Sequence, residues 1–131
     1  MMKNNTVNDC KILNLNYNTR LVNKIDIPFE VKRIYYLYDI KNKSIRGEHA
    51  HKDLYQVIIG LNEGLKIKID DGQNMKTYNL DNPNQGLLIV PGIWRSLTDF
   101  SSESICLVLA SELYSEDDYI RNYKEFLNFK K

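Results

Sequence analysis

The chain has 131 residues and a formal net charge of +1, from 18 Lys and Arg against 17 Asp and Glu. That length is one domain's worth and enough to bury a core, and the charge balance argues against a protein that holds nucleic acid by bulk electrostatics. No apolar run approaches the roughly 20 residues of a membrane helix, the opening MMKNNTVNDC lacks the apolar centre of a secretion signal, and Cys10 and Cys106 make no disulfide scaffold; a reducing cytoplasm is expected.

In chain order, residues 29–40 are rich in Tyr, Val and Ile and predict the first clear strand. Residues 46–52, 54–60 and 65–69 follow as short strands, and Asp71-Gly72 is the strongest hairpin signal in the chain, with 75–80 returning. Residues 86–90, 94–100 and 104–110 complete the strands, and Cys106 in the last of them reads as a core thiol. Ser115 followed by Asp118 predicts a capping box, after which Tyr119, Ile120, Tyr123, Phe126 and Leu127 recur at helical spacing. Many short strands with one terminal helix predict an all-β sandwich or barrel on which that aromatic stripe packs, in a single domain spanning residues 1–131.

The segment Arg46-Gly47-Glu48-His49-Ala50-His51-Lys52 holds the only histidines. Residues two apart on a strand point to one side, so His49 and His51 present two imidazoles together. Alone, such a pair is either a polar edge strand or a functional centre. Its surroundings resemble the cupin pattern: Gly47, His49, His51, Gln56 and Gly64 follow the first motif, and Pro91-Gly92-Ile93-Trp94-Arg95 stands at the second. The resemblance implies a double-stranded β-helix, a small jelly roll with a central pocket. Metal-binding cupins gather three histidines and a carboxylate. Here Gln56 holds the carboxylate place and Trp94 or Arg95 the third histidine place. An amide is a poor ligand, and a guanidinium or indole N–H has no lone pair to give. No metal and no other cofactor is therefore expected, and two imidazoles titrating near neutrality are suited to moving protons.

Taken together the motifs resemble the dTDP-4-keto-6-deoxyglucose 3,4-ketoisomerases, a group also called WxcM-like. The resemblance rests on Ile27-Pro28-Phe29, Val31-Lys32-Arg33-Ile34-Tyr35-Tyr36, the 46–52 run, Gln56-Val57 and Asp70-Asp71-Gly72. It continues through Pro91-Gly92-Ile93-Trp94, Asp99-Phe100-Ser101-Ser102, Leu107-Val108-Leu109-Ala110-Ser111 and Asp118-Tyr119-Ile120-Arg121. What it implies is a carbonyl moved from C4 to C3 of a dTDP-linked 4-keto-6-deoxyhexose through an enediol. One of His49 and His51 takes the carbon-bound proton and the other services the oxygens, with the assignment left open.

Arg33 and Arg46 are the candidates for the nucleotide's phosphates, because a guanidinium binds phosphate oxygens in bidentate fashion. Tyr35 shares Arg33's face and lines the pocket or fills the core; Trp94 stacks on base or sugar or packs; Gln56 bonds a ligand oxygen or steadies a histidine. Lys52 reads as solvated. The resemblance also implies that the residue after the Trp, here Arg95, and one near the N-terminus, for which Tyr17 is the candidate, set the face of C4 that is protonated. Both lean to dTDP-3-keto-6-deoxy-D-glucose over its galacto epimer. A homodimer with intertwined, possibly swapped strands is implied as well. Two other readings stay open at this point: a nucleotide-sugar 3,5-epimerase on the same barrel, and a non-catalytic cupin that binds a sugar nucleotide.

Overall fold

In this computed structural model residues 2–15, 27–41 and 43–131 are described. Their elements are β1 (Lys11–Asn14), β2 (Arg33–Leu37), β3 (Arg46–His51), β4 (Gln56–Leu61), β5 (Leu65–Asp70) and β6 (Met75–Leu80). They continue with β7 (Gln85–Ile89), β8 (Trp94–Thr98), β9 (Ile105–Ala110), β10 (Tyr119–Ile120) and a single α-helix, α1 (Tyr123–Lys130). The strands form two antiparallel five-stranded sheets, ordered β1-β7-β4-β9-β2 and β10-β3-β8-β5-β6. This is the double-stranded β-helix of a cupin. Residues paired across strands share a face, and the register sets Ile58 opposite Leu87 and Val108 in one sheet and Ile67 opposite Leu97 in the other. All five are buried, and together they form the facing layers of the core.

The strands β4 to β9 lie within two residues of the sequence expectation, whereas β2 is shorter than the apolar run suggested. β1 and β10 were not predicted. Both are short segments whose pairing is decided across the chain, β1 on β7 and β10 on β3. The helix begins later than expected. Ser115 makes no side-chain cap bond, and Asn122 caps α1 instead by accepting from the Glu125 N–H at 3.0 Å. Residues 119 and 120, counted into the helix by periodicity, are drawn off into strand pairing with His51 and Ala50. The aromatic stripe nevertheless packs as expected: Phe126 is fully buried with Ile120, Ala50 and Trp94 in a second, smaller core.

β2 is an edge strand, and its outer face carries Ile34 and Tyr36 at 63% and 61% exposure, with Tyr38 beyond its end at 66%. No helix among the described residues is long and apolar enough to cross a membrane.

Candidate active site

Regular strand geometry would send Arg46 and His49 to opposite faces, because three is an odd number of steps. The register of β3 on β8 shifts between them, with Arg46 opposite Leu97 but His49 opposite Arg95, which is one extra residue on β3. Gly47 sits in that irregularity at φ +87°, and a Cβ there would come within 2.8 Å of the Leu97 side chain. The bulge re-aims the strand, so that Arg46, Gly47 and His49 all line one cavity of about 240 Å³. β2 adds Tyr35 and Leu37 to its wall, β4 adds Gln56 and Ile58, and β8 adds Arg95 and Leu97. Val108 of β9 and, from the C-terminal segment, Tyr119 and Arg121 complete it. A larger cleft of about 470 Å³ lies between the N-terminal turn and α1, lined by Lys3, Asp71 and Lys130 among others. It holds neither histidine, so the barrel cavity is the one with the means for chemistry.

The polar groups of the cavity are chained. Gln56, buried on β4, donates through Nε2 to the Tyr35 hydroxyl at 3.1 Å and accepts a short hydrogen bond from Arg95 Nη1 at its Oε1. Arg95 Nη2 donates to the Ile93 carbonyl at 3.1 Å, while its Nε is buried with no partner among the described residues. Arg95 is 1% exposed, and the acceptors that hold it are neutral. Burial lowers its pKa to about 10, which still leaves it cationic at neutral pH. A buried cation hydrogen-bonded only to neutral groups carries a desolvation cost of several kcal/mol that an anion in the cavity would offset.

The two imidazoles meet edge to face with ring centroids 4.8 Å apart, and the Tyr119 ring lies 4.9 Å from His49 and 4.4 Å from His51. Arg121 stacks on Tyr119 at 4.1 Å and is paired with Glu116 at 2.7 Å. Burial first, and then the Arg95 charge, push His49 down to about 3 and lower His51 as well. Both are neutral bases at physiological pH. His49 faces the cavity. His51 lies behind it, its side chain 1% exposed, with Nδ1 at 2.9 Å from Asp118 Oδ2 and Nε2 buried without a partner among the described residues.

The expected site residues divide. His49, Tyr35, Arg46, Gln56 and Arg95 come together around the cavity, with His51 in contact behind His49. Arg33 stands one step further out, stacked over the Tyr35 and Tyr114 rings at 4.5 and 5.4 Å, with Nη1 buried and unpaired among the described residues. Trp94 is a correction. Neighbours on a strand point to opposite faces, so Arg95 facing inward turns Trp94 outward, where it packs on Tyr123 and Phe126 at 5.3 and 5.7 Å. Its place is the docking of α1, and stacking on base or sugar does not follow. Tyr17 lies outside the described residues. Tyr119, Arg121 and Asp118 were missed as site residues because helical periodicity claimed them; the only signal was that they belong to one of the matched motifs.

Comparison with known proteins points to one family. The family described as FdtA: WxcM-like, C-terminal matches residues 8–131. A TDP-4-oxo-6-deoxy-alpha-D-glucose-3,4-oxoisomerase of Aneurinibacillus thermoaerophilus is 46% identical over 106 residues, 81% of this chain and 74% of the relative. A 3,4-ketoisomerase structure from Helicobacter canadensis is 46% identical with a TM-score of 0.86, covering 93% of this chain and 97% of its own. A histidine-to-asparagine mutant of the 3,4-ketoisomerase QdtA from Thermoanaerobacterium thermosaccharolyticum, in complex with TDP-4-keto-6-deoxyglucose, is 38% identical with a TM-score of 0.85 and covers 91% of each chain.

Proposed function

We propose a catalytic assignment for this chain, which belongs to the FdtA: WxcM-like, C-terminal family and is a dTDP-4-keto-6-deoxyglucose 3,4-ketoisomerase: His49 is the base that takes the C3 proton. The observation that carries the assignment is that His49, and not His51, lines the cavity. The C3–H bond is acidified by the C4 carbonyl, and its electrons pass into a C3–C4 double bond as the C4 oxygen becomes an enolate. The C3 hydroxyl then gives up its proton, and the C4 oxygen takes one up to become the hydroxyl. C4 itself receives one from solvent as the proton held by His49 is released to solvent, and the carbonyl stands at C3. A positioned base of this kind contributes about 10²–10⁴-fold. Arg95 supplies a fixed positive charge for the enediolate, held at a buried position where such a charge acts more strongly than in water. Arg33, with its unpaired Nη1, and Arg46 at the cavity mouth are the groups we assign to the pyrophosphate.

For the product we infer dTDP-3-keto-6-deoxy-D-glucose. In the gluco ring H3 and H4 lie on opposite faces, so the proton returned to C4 does not come from the imidazole that removed the one at C3. Arg95 is cationic at neutral pH and holds its donors in place, which suits it to orienting a water on that opposite face but not to delivering a proton itself. The test is the product formed in ordinary and in deuterated water, each reduced: the H4 coupling constants of the first give the geometry, and loss of the H4 signal in the second reports the source of the proton. Gluco geometry with solvent deuterium at C4 is expected. A galacto product overturns the stereochemical assignment, and an unmoved carbonyl overturns the ketoisomerase reading.

The implied homodimer would cover the apolar outer edge of β2. We expect Tyr36→Glu, at a residue 61% exposed, to sediment as a monomer where the native chain sediments as a dimer. A native chain that is monomeric at micromolar concentration sinks this reading.

A further inference from the structure

We propose that Asp118 is a positioning residue of the site: its carboxylate holds His51 as the Nδ1–H tautomer and so keeps Nε2 an open proton acceptor beside His49. This rests on the ketoisomerase reading but concerns a different residue and a different observable.

Two contacts fix the carboxylate and two more hold its backbone. Asp118 Oδ2 lies 2.9 Å from His51 Nδ1, and Oδ1 accepts the Asp53 N–H at 2.8 Å. The backbone of Asp118 is tied at both ends, its carbonyl accepting from Lys52 at 2.9 Å and its N–H donating to Ser115 at 3.1 Å. These bonds clamp the 115–120 turn over the end of β3, immediately after His51. An ionised carboxylate only accepts hydrogen bonds, so a neutral His51 meets it with Nδ1 as the donor. The proton is then absent from Nε2, a ring nitrogen that is buried without a partner among the described residues. Burial and the Arg95 charge lower the His51 pKa, consistent with a ring that is neutral and therefore has a tautomer to choose.

The choice matters for the chemistry. The isomerisation needs a proton taken from the C3 oxygen as well as from the C3 carbon. With His49 as the carbon base at the cavity wall, the neutral imidazole in contact behind it, at 4.8 Å between ring centroids, is the remaining open acceptor to which the oxygen's proton can pass inward. The opposite tautomer would turn an N–H toward that role and could not accept. A carboxylate that sets a histidine's tautomer through its Nδ1–H is worth about 10⁴-fold in the serine protease triad, where the Asp→Asn exchange reverses it.

Only two histidines are present, so ¹⁵N-histidine labelling gives a spectrum in which each ring is resolved, with His49→Asn as the assignment control. In the native chain at neutral pH, His51 is expected to show a pyrrole-type Nδ1 and a pyridine-type Nε2. An Nε2–H tautomer overturns the proposal without any Asp118 variant or activity assay. In Asp118→Asn the carboxamide can donate to Nδ1, and the His51 signals are expected to exchange types. kcat should fall about 10²-fold or more while KM stays nearly constant, with Asp118→Glu recovering part of kcat. A fall in kcat without exchange of the tautomer overturns the positioning role. Should Asp118→Asn fail to fold, the native spectrum and Asp118→Glu still decide. Should the native chain turn over no keto sugar, the ketoisomerase reading fails while the tautomer measurement stands on its own.

Discussion

His49→Asn is expected to lower kcat on dTDP-4-keto-6-deoxyglucose by about 10²–10⁴-fold while the Kd for TDP changes little. Asparagine keeps a polar side chain of similar reach on β3 but has no basic nitrogen, so it fills the bulged position without taking a proton. Nucleotide binding is assigned to Arg33 and Arg46, not to His49. A variant retaining full kcat moves the base elsewhere, and loss of TDP binding in step with kcat makes His49 a binding group. The same variant reports on stability. His49 titrates near 6.5 when unfolded and at about 3 in the fold, where burial is the main cause. Below pH 6.5 the unfolded chain therefore binds a proton that the native chain refuses, and stability falls with pH. The contribution is complete above pH 6.5, and about 2 kcal/mol of it is lost by about pH 5. His51 adds to the loss in the same direction. Urea midpoints at about pH 7.5 and about pH 5 should draw together in His49→Asn relative to the native chain; an unchanged spread contradicts the buried, neutral histidine.

Arg95→Gln is expected to cost about 10²–10³-fold in kcat and to move the acid limb of the kcat/KM profile upward. Glutamine can still hydrogen-bond Gln56, so the chain from Tyr35 is not simply cut. What disappears is the charge. The guanidinium is buried, cationic and hydrogen-bonded only to the Gln56 and Ile93 oxygens, so its electrostatic effect is aimed at whatever occupies the cavity. An enediolate there gains from it more than a neutral ketone does, which is why the loss should fall on kcat more than on KM. The same charge holds the His49 pKa down. Removing it lets that value rise toward 6.5, and the sign is fixed: more of the base is protonated at mildly acidic pH, so activity fails at a higher pH than in the native enzyme. A profile that shifts downward, or a loss confined to KM, would remove Arg95 from the stabilisation of the anion.

The site was legible in unequal parts. His49 and His51 stood out because a strand puts alternate residues on one side, and that rule needs no tertiary information. The same rule, applied to neighbours, would have excluded either Trp94 or Arg95 from the pocket, but it could not say which, since the inward face of β8 is decided by its register on β3 and β5. Arg46 is a sharper case. By alternation it belongs opposite His49, and only the extra residue around Gly47 returns it to the cavity. Asp118 was hidden for a different reason. Its spacing from Ser115 mimics a helix cap, and a local pattern cannot register that the carboxylate is taken by a histidine 67 residues earlier in the chain.

The amino-acid sequence by itself determined the strand-rich character, the apolar layers and the paired histidines, because each follows from periodicity over a few residues. Tertiary structure alone decided which imidazole faces the cavity, that Arg95 is buried against neutral partners, and that the tail supplies Tyr119, Arg121 and Asp118 before its helix begins. Those features arise where segments distant in sequence compete for the same hydrogen bonds and the same buried space. The strand pairing of residues 119–120 with β3 prevails over their helical periodicity because it satisfies backbone groups at the sheet edge and buries Ile120 against Trp94 and Phe126 at once.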